Sequence, residues 1–231
     1  MKLEIWSDIA CPWCWVGKRR FERALANFPE RDSLEVTWRS FELDPGAPKV
    51  QAGSQAELLA KKYRVPLERA REMNANMAAQ GAKEGIDFDF DRVRMGSTFD
   101  AHRLIHFAAE HERRSEMVER LFRAYFTEGA SLGDPQVLAG LAADVGLDGG
   151  AALEALESGA FADAVRADEA RAQAFGISGV PFFAIDERYG ISGAQPPEVI
   201  LGALEKALSE AVPAEAHAHG ADGCEDGSCS I

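Results

Sequence analysis

Cys11 and Cys14 stand two residues apart in the string SDIACPWCW, with Pro12 and Trp13 between them. Two sulfurs at this spacing have three uses. They can hold a soft metal, tie the chain together as a static disulfide, or open and close as a disulfide that passes electrons. A zinc site usually draws four ligands from close pairs, and after Cys14 no cysteine or histidine occurs until His102. A static cross-link is out of place in a reducing compartment. Such a compartment is what the sequence predicts: MKLEIWSDIACPW has no apolar run suited to a secretory signal, and nothing later approaches a membrane span. The chain is therefore expected in the cytoplasm, and its first cysteine pair is expected to do redox exchange.

The neighbouring residues assign each sulfur a part. KLEIWSDI has the β-branched and aromatic content of a strand. From Pro12 to about Asn27, Val16, Phe21, Leu25 and Phe28 recur at helical spacing. Cys11 then caps a helix, with Pro12 at a first position where no N–H is needed. A sulfur there faces unpaired backbone N–H groups and the positive end of the helix dipole, and both favour its anion. An ordinary cysteine, with a pKa near 8.5, is only ~3% thiolate at neutral pH. Each unit of lowering stabilises the thiolate by ~1.4 kcal/mol, which favours the reduced protein and makes its disulfide a stronger oxidant. Cys11 is expected to be the exposed nucleophile and Cys14, one turn in, the shielded resolving thiol. Trp13 supplies an apolar surface beside them.

LEVTWRSFEL alternates and predicts a second strand, so the chain opens as strand, helix, strand. A helical block follows. Ser54 and Glu57 form a capping box, Pro66 opens a further helix ended by Gly81, and IDFDFDRVRM alternates as a short extended piece. STFDAHRLIHFAAEHE, SEMVERLFRAYFTEG and DPQVLAGLAADVG read as helices, and two more are expected near 150–158 and 161–175. Strand chemistry returns at GVPFFAIDERYGISGA, where 182–185 and 188–191 flank a polar turn as in a hairpin, and QPPEVILGALEKALSEA is a last amphipathic helix. After Pro213 the chain is small, polar and Gly-rich, with the composition of a segment lacking a fixed fold.

The strings SDIACPWCWVGKRRFE, AHRL, RLFRAYFTEG and GISGVPFFAIDERYGISGAQPPEV resemble the DsbA family of thioredoxin-fold oxidoreductases, in its FrnE-like branch. The resemblance covers residues 1 to about 211. It implies an α/β, thioredoxin-like fold with a large α-helical insertion. The thioredoxin-like parts are 1–43 and 177–212, the insertion 44–176, and 213–231 a flexible tail. It also implies a cis peptide between Val180 and Pro181 packed against the disulfide, with both residues forming an edge on which a substrate chain docks. The redox-active disulfide is then the reacting group, with no cofactor. Partners are protein thiols and disulfides, unfolded chains among them, and a reducing or oxidising partner protein. Two departures stand out: Trp13 replaces the histidine of the secreted enzymes, and no signal peptide is evident. Redox potential and physiological partner therefore do not transfer from those enzymes.

Two rival functions remain. Glutathione-dependent isomerases and transferases of the kappa and hydroxychromene-carboxylate type share the fold, but commonly place a serine where Cys11 stands. A metal-binding or holdase protein would use the same cysteines without turnover. Length and composition bound the rest. A chain of 231 residues, 46% hydrophobic and 27% charged, suits a globular protein of one domain with an insertion or two small domains. A net charge of −13 speaks against general binding to nucleic acid or anionic membranes.

Cys224 and Cys229 form a second pair, near His217 and His219. They could exchange with Cys11–Cys14, bind a soft metal together with the histidines, or be passive. About 13 residues of flexible chain reach roughly 20 Å, enough to approach a site on the same domain. His102, His106 and His111 fall on helices of the middle block and read as packing residues, with His102 the one placed to border the active-site groove. Arg19 and Arg20 read as a solvated helix face, and VERLFRAYF as core that would bind unfolded chains if exposed.

Overall fold

The structure is a computed structural model and describes residues 1–211. Four strands and nine helices are assigned among them: β1 (Lys2–Ser7), α1 (Pro12–Ala26), β2 (Glu35–Ser40), α2 (Gln55–Tyr63), α3 (Leu67–Ala82), α4 (Phe99–Ala109), α5 (Arg114–Arg123), α6 (Pro135–Asp144), α7 (Gly149–Glu157), α8 (Ala162–Ala174), β3 (Phe182–Ile185), β4 (Tyr189–Ser192) and α9 (Pro197–Ala211). The sheet order is β2-β1-β3-β4. β1 runs parallel to β2, Lys2 opposite Glu35 through Ser7 opposite Ser40, and antiparallel to β3, Leu3 opposite Ile185 through Trp6 opposite Phe182. This is a thioredoxin-like sheet with seven α-helices between β2 and β3.

Strand β1 is central, so both of its faces must be covered. Leu3 and Ile5 point into the main core with Val16, Phe21 and Phe183. Trp6 points the other way, into a smaller cluster with Ala172, Ile177 and Ala184, and its indole N–H donates to the Asp168 carbonyl at 3.0 Å. Glu4, on that same second face, is buried between two guanidinium groups, those of Arg39 and Arg171.

Local signals set most helix ends. The Ser54–Glu57 capping box is formed, and Asp134 caps α6 with Pro135 inside it. Two expectations fail. IDFDFDRVRM is no strand. Ile86, Phe88 and Phe90 are buried, and the segment's backbone bonds outside itself are isolated ones: Asp89 N–H to the Phe126 carbonyl at 2.8 Å, Ile86 N–H to the Gly81 carbonyl at 2.9 Å, and Gln51 N–H to the Met95 carbonyl at 2.9 Å. An irregular loop meets the same alternation by tucking its aromatic rings under Phe126. Arg19 and Arg20 do not form a solvated face either. Arg19 pairs with Glu22 and Glu119, and Arg20 pairs with Glu84 at 2.8 Å while donating to the Ala194 carbonyl at 2.6 Å.

The VERLFRAYF stripe is core, with Val118, Leu121, Phe122, Tyr125 and Phe126 all buried. It joins the cysteine-bearing helix to the helical block through Trp15, the residue after Cys14. The Trp15 indole stacks on Phe122 at 5.9 Å, meets Phe88 edge-on at 5.6 Å, and donates to Glu119. No helix of the described residues is long and apolar enough to cross a membrane.

Candidate active site

Strand β1 delivers the chain to Asp8, and a tight turn delivers it to α1. The Cys11 N–H donates to the Asp8 carbonyl at 3.1 Å, and the Cys14 N–H donates to the Cys11 carbonyl at 3.0 Å. Cys11 is the N-cap residue in extended conformation, with Pro12 in the first turn. No side chain caps the helix start, so its free N–H groups are left facing the cysteine. Both cysteines are free thiols.

The Cys11 sulfur lies 3.7 Å from the carbonyl oxygen of Val180. The Val180–Pro181 peptide is cis. Pro181 is buried and held from both sides: its carbonyl accepts from Gly193 N–H at 2.8 Å, and its ring lies against Gly17 of α1. A β-carbon on Gly17 would stand 2.9 Å from the ring Cγ, so this approach requires glycine. Trp13 is 43% exposed beside the pair, and Val180 is half-buried.

Cys11 is not the exposed sulfur that its place at a helix end suggests; it retains 7% of its accessible surface. The Val180–Pro181 bend covers it. Cys14 is more deeply placed, at 1%. Burial, with the hydrogen bond and charge of Cys11 behind it, pushes the Cys14 thiol well above the usual value. The Asp8 backbone N–H and the Ser7 hydroxyl pull weakly the other way. The two sulfurs therefore differ in access, and Cys14 is the one that burial holds as the thiol.

Asp8 was not among the residues singled out in the sequence, where an acid after a strand reads as a turn former. It is 1% exposed. Its carboxylate accepts from the Ala10 N–H at 3.2 Å and the Leu43 N–H at 2.7 Å, and His102 Nε2 of α4 stands 3.5 Å away. Burial pushes this carboxyl up, but His102, the Leu43 N–H and Thr98 outweigh burial and hold it below the usual range. An acid three residues before a CxxC was the available signal. His102 does border the site, from inside. His106 instead pairs with Asp168 at 3.0 Å, and His111 packs on Phe107. Cys224, Cys229, His217 and His219 lie outside the described residues.

Comparison with known proteins agrees with this geometry. A family model described as a DSBA-like thioredoxin domain matches residues 2–205. The protein YwbO of Bacillus subtilis, itself uncharacterized, is 32% identical over 213 residues, which is 90% of this chain and 96% of that protein. The crystal structure of a probable DsbA oxidoreductase from Streptomyces coelicolor superimposes with a TM-score of 0.87 at 45% identity, over 99% of this chain and 100% of the other. The cytosolic disulfide reductase DsbM from Pseudomonas aeruginosa shares the fold at 20% identity and a TM-score of 0.59, over 91% of this chain and 100% of that one. That family model runs from the first strand into the last helix and takes in the helix-capping CxxC and the Val–Pro bend, and the chain belongs to the DSBA-like thioredoxin domain family.

Proposed function

We propose that the protein is a thiol–disulfide oxidoreductase acting on protein substrates through Cys11 and Cys14, in the FrnE-like branch of its family. The observation that carries this proposal is the Cys11 sulfur at the helix start, 3.7 Å from the Val180 carbonyl and against the Cys14 thiol. In the reducing direction the Cys11 thiolate attacks a substrate disulfide, forming a mixed disulfide and releasing one substrate thiolate. Cys14 then attacks the Cys11 sulfur and releases the second. Two electrons pass from the dithiol to the substrate, and the protein is left as its internal disulfide. Run backwards, the same steps oxidise a substrate dithiol. The Val180–Pro181 edge and the exposed Trp13 indole support docking of an extended substrate chain beside the sulfur, by backbone pairing on one side and apolar contact on the other.

Turnover of an insulin-type disulfide by the chain and its single-cysteine variants tests this. Cys11→Ser is expected to abolish turnover, and Cys14→Ser to halt at a mixed disulfide visible by mass. Unchanged turnover in Cys11→Ser would end the proposal. Cys224 and Cys229 enter it as a second pair that exchanges with the first. Replacing both by serine, with Cys11 and Cys14 kept, is then expected to slow re-reduction of the Cys11–Cys14 disulfide by an external thiol.

A further inference from the structure

Cys14 poses a problem that the exchange chemistry leaves open. It must attack as an anion, yet it is enclosed by protein and held as the thiol. Water cannot reach it freely to take the proton. Ser7 lies against it, and from Ser7 a small cavity leads to His102, which in turn stands against the buried Asp8 carboxylate. The Ser7 hydroxyl faces the Cys14 sulfur and has no well-aligned oxygen or nitrogen partner among the described residues. Neither ring nitrogen of His102 has a well-formed hydrogen bond, although its side chain is only 2% exposed. Asp8 places its carboxylate 3.5 Å from that ring. Ser7 and His102 also line one cavity of about 10 Å³, the scale of a single water molecule. Polar groups orphaned at this depth destabilise the folded chain, which calls for a use.

We propose that Asp8 and His102 together are the proton acceptor for Cys14, acting through the Ser7 hydroxyl and the small cavity between them. The proposal rests on the exchange chemistry above and adds its proton. When the mixed disulfide on Cys11 forms, the Cys14 proton passes to Ser7 while the Ser7 proton passes across the cavity to the His102 ring. The resulting imidazolium is balanced by the Asp8 carboxylate. The Cys14 thiolate attacks the Cys11 sulfur, the bond from Cys11 to the substrate sulfur breaks, and the departing substrate thiolate takes a proton as the pair returns to its starting state. No oxidant beyond the substrate disulfide is needed. In the opposite direction the pair donates the same proton to Cys14.

Other charged and titratable groups around the pair set its balance. Tyr125 lies near Asp8, whose charge adds to burial in pushing the phenol up. Glu42 lies near His102 and is itself paired with Arg166 of α8 at 2.7 Å. The charge of an imidazolium on His102 is therefore met by carboxylates on two sides. Asp8 also accepts from the loop after β2, through Leu43.

The test is a stopped-flow reaction of the reduced full-length chain with the chromogenic disulfide dithionitrobenzoate. Cys224→Ser and Cys229→Ser are present so that only the first pair reports. One chromophore is released as Cys11 attacks and a second as Cys14 resolves, with Cys14→Ser assigning the phases. The second phase in the parent is expected to level off near neutral pH. In His102→Gln it is expected to slow roughly 100-fold, the size of a lost general base, and to climb about tenfold per pH unit as an unassisted thiol does. Ser7→Ala, nearly isosteric, is expected to act in the same direction and carries the test if His102→Gln does not fold. A second phase with the parent's rate and pH profile in the folded variant would overturn the proposal, as would a parent phase that climbs tenfold per unit throughout. A first phase that survives Cys11→Ser would instead strike the exchange chemistry itself.

Discussion

Gly17 and Pro181 touch across the active site: the space a β-carbon on Gly17 would fill is already within 2.9 Å of the proline ring. Helix α1 and the bend that carries Val180 therefore set each other's position, and with it the distance from the Cys11 sulfur to the Val180 carbonyl. Alanine at 17 brings two opposed effects. A glycine removed from a helix interior returns about 1 kcal/mol, and overpacking a tight contact costs about 1–3 kcal/mol. Gly17→Ala is expected to unfold within about 1–2 kcal/mol of the parent, while its turnover of a protein disulfide falls about tenfold, because displacement at a reacting atom is costly. Thermal unfolding and insulin turnover read the two effects separately. A variant that keeps the helix gain and full turnover would refute the coupling.

The difference between the two sulfurs can be read directly. Cys14 is buried and its thiol pushed up, whereas Cys11 sits at the helix start. Alkylation by iodoacetamide, followed at each site by mass spectrometry across pH, is expected to modify Cys11 at lower pH than Cys14. Equal reactivity at high pH alone would remove Cys11 from the nucleophile's place.

What the sequence made legible follows from how local each signal is. Strand β1, helix α1 and the hairpin are readable because β-branched and aromatic content, the Pro12 helix start and the polar turn before Tyr189 act within a few residues. The tertiary partners are not. Asp8 and His102 lie on elements far apart in the chain, and nothing near either names the other. Arg20 looks solvated on its own helix because its partner, Glu84, comes from the turn just after α3. Phe88 and Phe90 alternate as strand residues do, but no neighbouring strand was there to pair them. Burial of Cys11 depends on the Val180–Pro181 bend, which reaches it from the other end of the chain.

Trp15 couples the redox helix to the helical block, and removing it should show how much that coupling contributes. Its indole is buried against Phe88, Phe122 and Phe126. Trp15→Ala is expected to cost about 3–5 kcal/mol, as large-to-small changes of a buried aromatic do. Trp15→Phe keeps the stacking, loses the bond to Glu119, and is expected to cost about 1 kcal/mol. Denaturant unfolding measures both. Equal losses in the two variants would mean that the hydrogen bond, not the packing, holds α1 to the block.

Glu4 gives the acid limit of the fold a specific source. Arg39 Nε donates to its carboxylate at 2.8 Å, and Arg171 donates twice, at 2.9 and 2.7 Å. Burial pushes this carboxyl up, but the two guanidiniums outweigh it and hold it below the usual range. The folded chain therefore releases this proton more readily than the unfolded chain does. Its contribution is complete above the unfolded glutamate range and is lost as pH falls through that range towards the lowered folded value. Charge-assisted bonds of this kind contribute about 1.5–3 kcal/mol. Arg39 and Arg171 are 30% and 34% exposed, so solvent screening moves the expectation to the lower end. Glu4→Gln is thus expected to lose about 1–2 kcal/mol at neutral pH, and the deficit is expected to shrink towards zero in acid, where the parent carboxyl is protonated too. Urea unfolding of both proteins at neutral pH and well below the glutamate range measures the difference. A deficit of equal size at the two pH values would show that Glu4 acts through shape alone, and that its charge between the two arginines contributes nothing to the fold.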